Sequence, residues 1–248
     1  MQQIATNESG QKQKWTFRDA STLILTIICL MLAVNIGLLL IDLKELFIAA
    51  AHRSVITFTL LLIQEGIFIF PLYYLIIKKY AVRARELGLR KIGAWEGAKW
   101  VLKGFALVIL FNFIFAFMAL RLGQGLPGFG PQQSHIPLFG GSALDVVFAV
   151  VALVIIAPVV EEIVFRGFIF QTLMAAVRPA YASLAAAAIF SLVHFEFESA
   201  GIIFVLGLIL NWIFMRSKSL WPCIAFHVVN NALAFLLEWL IWTGQIKI

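Results

Sequence analysis

The sequence predicts an all-α fold, a polytopic transmembrane helical bundle of about seven or eight spans. Three observations carry that prediction. Of the 248 residues, 62% are hydrophobic and 13% charged, whereas a soluble domain has about 45–50% and about 25%. Mean hydropathy is +0.97. Apolar runs of spanning length follow one another so closely that no separate soluble domain fits between them. The short alternating segments of a transmembrane β-barrel are not evident.

Seven runs read as spans: Thr22–Ile41, Val55–Ile77, Val101–Leu120, Ala143–Val160, Tyr181–Phe195, Gly201–Met215 and Leu220–Trp242. A further apolar helix, Glu161–Val177, fits a span, a re-entrant piece or an extension of its predecessor. The first run follows Lys12, Lys14 and Arg18, and Ala49-Ala50-Ala51 imitates a signal-peptide cleavage site. The run is nonetheless longer than the roughly 7–15 residues of a signal core, so an uncleaved first span is expected. Pro127, Pro131 and Pro137 with several glycines mark Leu122–Gly141 as an irregular loop. The organisation expected is an N-terminal segment over 1–20, N-terminal helices with a basic loop over 21–142, a core over 143–242 and a tail over 243–248.

Charge sets the expected orientation. Net charge is +6, and Lys78, Lys79, Arg83, Arg85, Arg90, Lys91 and Lys99 share one loop region, while 123–142 has no Lys or Arg. The positive-inside rule places the basic loop in the cytoplasm and the second loop outside. The N-terminus is then cytoplasmic, and the fourth span carries Glu161 towards the cytoplasmic side. Arg216 and Lys218 place the loop before the last span inside as well. The basic cluster reads as membrane orientation and contact with anionic lipids, and no nucleic-acid partner is expected. Cys29 and Cys223 form neither a disulfide framework nor a four-ligand zinc site. Gln64 and Glu65 interrupt the second span and read as packing or helix-pairing residues.

Three segments of the second half break the apolar pattern: Glu161-Glu162 with Arg166, Phe190 with His194, and His227 with Asn230-Asn231. Glu162 and Arg166 are four apart, acid first, so they can pair on one helix face and support the fold. Glu161 lies about 100° round the helix and points elsewhere. A carboxylate near lipid costs a few kcal/mol, so Glu161 must meet water, a cation or a donor from another helix. His227 and Asn231 share a face of the last span, and Asn230 falls about 60° off it. Such a set suits water activation. A carboxylate in an apolar pocket can act as general base, imidazoles can bind a metal or move a proton, and an Asn amide can donate to an oxyanion. Glu161, His194 and His227 also match a catalytic zinc ligand set, although no His-Glu-x-x-His helix is present. No Gly-x-Ser-x-Gly elbow supports a serine nucleophile.

Glu-Glu-x-x-x-Arg at Glu161–Arg166, Phe-x-x-x-His at Phe190–His194 and His-x-x-x-Asn at His227–Asn231 resemble, in order and spacing, the CPBP family. That family comprises the type II CAAX prenyl proteases and the related bacteriocin-processing or Abi membrane proteins. Glu86-Leu-Gly-Leu-Arg90 resembles a further family feature, and the motif-bearing likeness runs from about Ala143 to Leu236. The resemblance implies an intramembrane endopeptidase in a bacterial-type plasma membrane, acting on a peptide or protein substrate, lipid-modified or not. It makes Glu161 the base, His194 a holder of water or metal, and His227 and Asn231 the oxyanion donors, with Glu162 and Arg166 in support. A divalent metal such as zinc and a metal-free mechanism both stay open. The competing readings are a non-catalytic membrane scaffold or regulator of the same fold, and a transporter, for which no internal repeat is found.

Overall fold

A computed structural model of the protein describes residues 14–40, 53–122, 127–130, 136–140 and 142–246. Among the described residues every regular element is a helix: α1 (Phe17–Leu40), α2 (Arg53–Lys78), α3 (Ala94–Leu122), a single turn α4 (Ile136–Phe139), α5 (Ala143–Ala176), α6 (Pro179–Leu192), α7 (Ala200–Ser217) and α8 (Leu220–Trp242). Six of them, all but α4 and α6, are long and apolar enough to cross a membrane, and α6 is a shorter apolar helix. The chain is an integral, multi-pass, all-helical membrane protein. The Ala49–Ala51 cleavage look-alike lies outside the described residues.

The apolar run Glu161–Val177 is the second half of α5, which is continuous over 34 residues. At about 1.5 Å per residue, α5 is roughly 51 Å long, well beyond a hydrocarbon core of about 30 Å. It is not uniform. Val150–Ile156 and Phe165–Phe170 wind as π-helix, with an ordinary α stretch, Ala157–Val164, between them. Lipid-facing surface is plainest on α3, where Phe113 is 72% and Leu120 81% exposed.

The chain divides into two compact units. One comprises Met1–Phe17, Arg83–Gln133 and Phe165–His227. Within it α7 packs on α6 and α3. The α6–α7 crossing is close because α6 is alanine-rich and Gly207 faces it. A Cβ at Gly207 would lie 3.1 Å from the Ala187 backbone, the small-residue contact that lets membrane helices approach. The Glu86–Arg90 segment straps this unit: the Gly88 carbonyl accepts from Leu220 N–H (2.8 Å) and the Arg90 carbonyl from the Ser219 hydroxyl (2.7 Å). Trp15 donates to Thr172 (2.9 Å) and packs on Phe168, while Lys14 pairs with Glu86 at 2.9 Å.

The other unit comprises Arg18–Val82, Ser134–Val164 and Val228–Ile248. Ser142 and Asp145 form a reciprocal capping box that starts α5. Phe139, Ala149 and Ala152 make a core closed by Phe58, Leu61, Phe148, Leu153 and Phe235. Asp19 accepts from Lys79 (2.9 Å) and Tyr80 (3.0 Å).

Two outcomes follow from this packing. Gly207→Leu must push the α6 backbone away, so a loss of about 1–3 kcal/mol and a lower unfolding temperature in detergent are expected, whereas an unchanged temperature would mean the crossing is loose. At Glu86, burial alone would raise the carboxyl, but the Arg83 N–H and the Lys14 ammonium together hold it below its ordinary 4.5. The contact therefore stabilises above that ordinary value and is lost as pH falls through the depressed one. Glu86→Gln at neutral pH should loosen residues 14–17 in hydrogen exchange by roughly two- to five-fold, the effect of a partly exposed pair worth about 0.2–1 kcal/mol. Acidified wild type should loosen in the same way.

Candidate active site

The candidate residues divide between the two units. In the first, the ring of Phe190 on α6 is fully buried and gathers the chemistry around it. His194 meets it edge-on with centroids 4.7 Å apart, and His227 does so at 6.0 Å. Phe165 packs edge-on at 5.0 Å. The guanidinium carbon of Arg166 lies 4.3 Å from the ring centroid. The quadrupole of an aromatic ring favours such edge contacts and attracts a cation to its face. Arg166, 1% exposed, also donates through Nη2 to the Gly207 carbonyl at 3.2 Å. A buried guanidinium is thus held by a ring and a backbone carbonyl of the helices beside it.

His194 lies just beyond α6, in a turn rather than on the helix. Its Nδ1 is 2.6 Å from the Phe190 carbonyl. A carbonyl only accepts, so Nδ1 carries the hydrogen and Nε2 is the acceptor of the neutral ring. The next residue, Phe195, has φ +54°, a left-handed conformation unfavourable for a bulky side chain. Surrounding bonds fix this turn. Ser191 donates to the Ala200 carbonyl at 2.6 Å, and the Ser199 hydroxyl to Glu196 at 2.9 Å. Gly130 N–H donates to Glu198 and Gly201 N–H to Gly128, both at 2.6 Å. Gly201 must be glycine here, since a Cβ would fall 2.5 Å from the Phe129 ring. The 14 residues of α6 span only about 21 Å. That is shorter than a hydrocarbon core of about 30 Å.

In the second unit Glu161 is half-buried on the α stretch of α5. Asn231 on α8 donates through Nδ2 to the Leu153 carbonyl at 3.1 Å. Leu153 lies in the first π-helical stretch of α5, where irregular winding frees backbone groups for side-chain partners. Asn231 is one turn beyond His227, which is 3% exposed. Glu162 is fully buried. On α2, Glu65 is 6% exposed. Sequence reasoning did not find the hub role of Phe190. The usable signal for Phe190 was its position four residues before His194. Among the described residues no group of three or more His, Cys, Asp or Glu is placed to hold a metal ion, so Glu161, His194 and His227 gain no ligand-set geometry.

Residues 143–233 match the type II CAAX prenyl endopeptidase Rce1-like family. The matched stretch contains all seven motif residues from Glu161 to Asn231. The chain is 28% identical over 99 residues to the putative membrane peptidase YdiL of Bacillus subtilis, covering 38% of this chain and 41% of that protein. It is 26% identical over 145 residues to the membrane-embedded CAAX protease MroQ of Staphylococcus aureus, covering 56% of this chain and 57% of that protein. The chain thus spans about two fifths to just over half the length of these curated relatives. No solved structure matches it significantly.

The hub predicts its own test. Phe190→Ala opens a cavity of aromatic size and should cost about 3–5 kcal/mol, visible as a fall in unfolding temperature. Phe190→Leu keeps most of the volume, costs less, and releases the edge contacts to both imidazoles. In 15N spectra of histidine-labelled protein, the ring signals of both His194 and His227 should move in Phe190→Leu. Movement of only one would break the hub.

Proposed function

We propose that this chain is an intramembrane endopeptidase in which Glu161 activates water. The observation that carries this reading is the Rce1-like match over 143–233, which contains every motif residue singled out by its chemistry. The two relatives named as a membrane peptidase and a CAAX protease support it. The substrate is a peptide or protein segment, lipid-modified or not, that reaches the site from the membrane and its lipids. On this reading, which the positive-inside rule supports, the basic loop after α2 and the basic N-terminus are cytoplasmic, and the membrane is a bacterial-type plasma membrane.

The roles follow from what each group can do. The Glu161 carboxylate takes a proton from water as the water oxygen attacks the scissile carbonyl carbon. His194, oriented by its Nδ1–H bond, accepts a hydrogen bond from that water at Nε2. As the carbonyl oxygen becomes an oxyanion, His227 and Asn231 donate to it. Collapse of the tetrahedral intermediate breaks the C–N bond. The proton held by Glu161 passes to the leaving amine, which leaves a new carboxyl and a new amino terminus. Glu162 and Arg166 support this arrangement from within the helix packing.

The test uses detergent-purified full chain and a library of quenched fluorescent peptides, prenylated and unmodified. Glu161→Gln should lower cleavage by about 10²–10⁴-fold, the usual contribution of a general base, with unchanged unfolding temperature. Cleavage that persists in Glu161→Gln would remove Glu161 from the role of base. A wild type that cleaves no peptide, in a cell whose phenotype survives Glu161→Gln and His194→Ala, would favour the scaffold reading instead.

A further inference from the structure

The second unit holds a groove that neither the motifs nor the mechanism above uses. It runs between α1 and α2 with a volume of about 660 Å³, within the roughly 300–1,000 Å³ of small-molecule sites. On α2 its wall is Thr59, Ile63, Gly66, Phe70 and Tyr74, three or four residues apart and so one continuous stripe of the helix. Thr26 and Leu30 of α1 form the other side. The lining is apolar in effect, because Thr26 and Thr59 spend their hydroxyls on the Thr22 and Val55 carbonyls of their own helices, each at 2.8 Å. Gly66 gives the groove its depth: a Cβ there would meet the Phe70 ring at 3.1 Å.

An apolar helix face is ordinary in a membrane, where lipid tails cover it. The charge at the end of this one sets it apart. Tyr73–Lys78 winds as π-helix, an irregularity frequent at functional sites. Within it the Lys78 ammonium lies 5.5 Å from the centroid of the Tyr74 ring, and Tyr73 meets that ring edge-on at 5.1 Å. Tyr74 therefore joins the apolar stripe to a cation. The next lysine, Lys79, pairs with Asp19 at 2.9 Å, which ties the start of α1 to the end of α2. Lys78 is exposed and has no carboxylate partner among the described residues. From Tyr74 to Thr59 the stripe runs about 22 Å along α2, more than the ~15 Å of one leaflet's hydrocarbon. A lipid tail entering beside Tyr74 is thus covered along its length, with its headgroup at the level of Lys78.

We propose that this groove binds one anionic glycerophospholipid, with an acyl chain along the α2 stripe and the phosphate on the Lys78 ammonium. The phosphate supplies the negative partner for Lys78, and Tyr74 holds the ammonium at the chain's point of entry. The site lies within one unit and stands whether or not the chain is a protease.

Full chain purified in detergent and stripped of native lipid would be titrated with dioleoyl phosphatidylglycerol or dioleoyl phosphatidylcholine, and bound lipid counted by native mass spectrometry. The site predicts a single tight adduct, with phosphatidylglycerol favoured about fivefold, the factor expected of one lysine beside an anionic headgroup. Gly66→Leu and, separately, Ile63→Trp fill the groove and should abolish the tight adduct at unchanged unfolding temperature. Lys78→Gln should keep the adduct and lose the headgroup preference. Glycerol phosphate, which offers the headgroup without the chains, should not compete. A tight adduct retained by both groove-filling variants places the lipid elsewhere and overturns the site. A preference that survives Lys78→Gln, or displacement by glycerol phosphate, overturns the joint use of chain and cation. A dimer that dissolves in Gly66→Leu would give the groove to a second copy and contradict the proposal.

Discussion

The burial of one aromatic ring constrains the rest of the site. Phe190 is buried against α7 and the second half of α5, and both candidate histidines meet its ring edge-on. Arg166 occupies its face. A guanidinium sealed in an apolar bundle needs compensation, and a desolvated cation–π contact supplies about 2 kcal/mol. The Gly207 carbonyl adds a charge-assisted hydrogen bond. That carbonyl is within reach because Gly207 lacks a side chain and α7 lies against Ala187. The small residues of α6, the glycine of α7, the buried arginine and the two imidazoles are therefore one packing problem with one solution. A change at Phe190 or Gly207 is felt at His194 and His227 without touching either.

The second constraint is the winding of α5. Two π-helical stretches flank the α stretch that carries Glu161 and Glu162. Each re-phases the helix, so residues before and after a stretch face directions that a uniform α-helix would not give. The first also presents the Leu153 carbonyl to Asn231. Irregular winding inside a membrane helix is tolerated only where other groups satisfy the freed backbone, and Asn231 does that here. The polar residues of α5 and α8 thus support the backbone as well as carrying candidate chemistry.

Much of this was legible in the sequence, and the misses have physical causes. Composition and run length gave the helical class and the span positions, because a bilayer demands about 20 apolar residues and leaves few alternatives. The motif residues stood out because charge and imidazole are costly among apolar neighbours. The continuity of α5 was left open, since Glu161, Glu162 and Arg166 interrupt the hydropathy signal that marks a helix while leaving its backbone intact. His194 was read within an apolar run ending at Phe195, but the helix stops at Leu192, because end geometry depends on Ser191, Ser199 and the 128–130 loop rather than on local propensity.

Direct attack by an activated water is tested most directly by the origin of the oxygen in the product. Cleavage of a reporter peptide would be run in oxygen-18 water with hydroxylamine present, and the products weighed by mass spectrometry. Water activated by Glu161 predicts one heavy oxygen in the new carboxyl terminus and no hydroxamate. A hydroxamate product, the mark of an acyl-enzyme on a protein nucleophile, would contradict it.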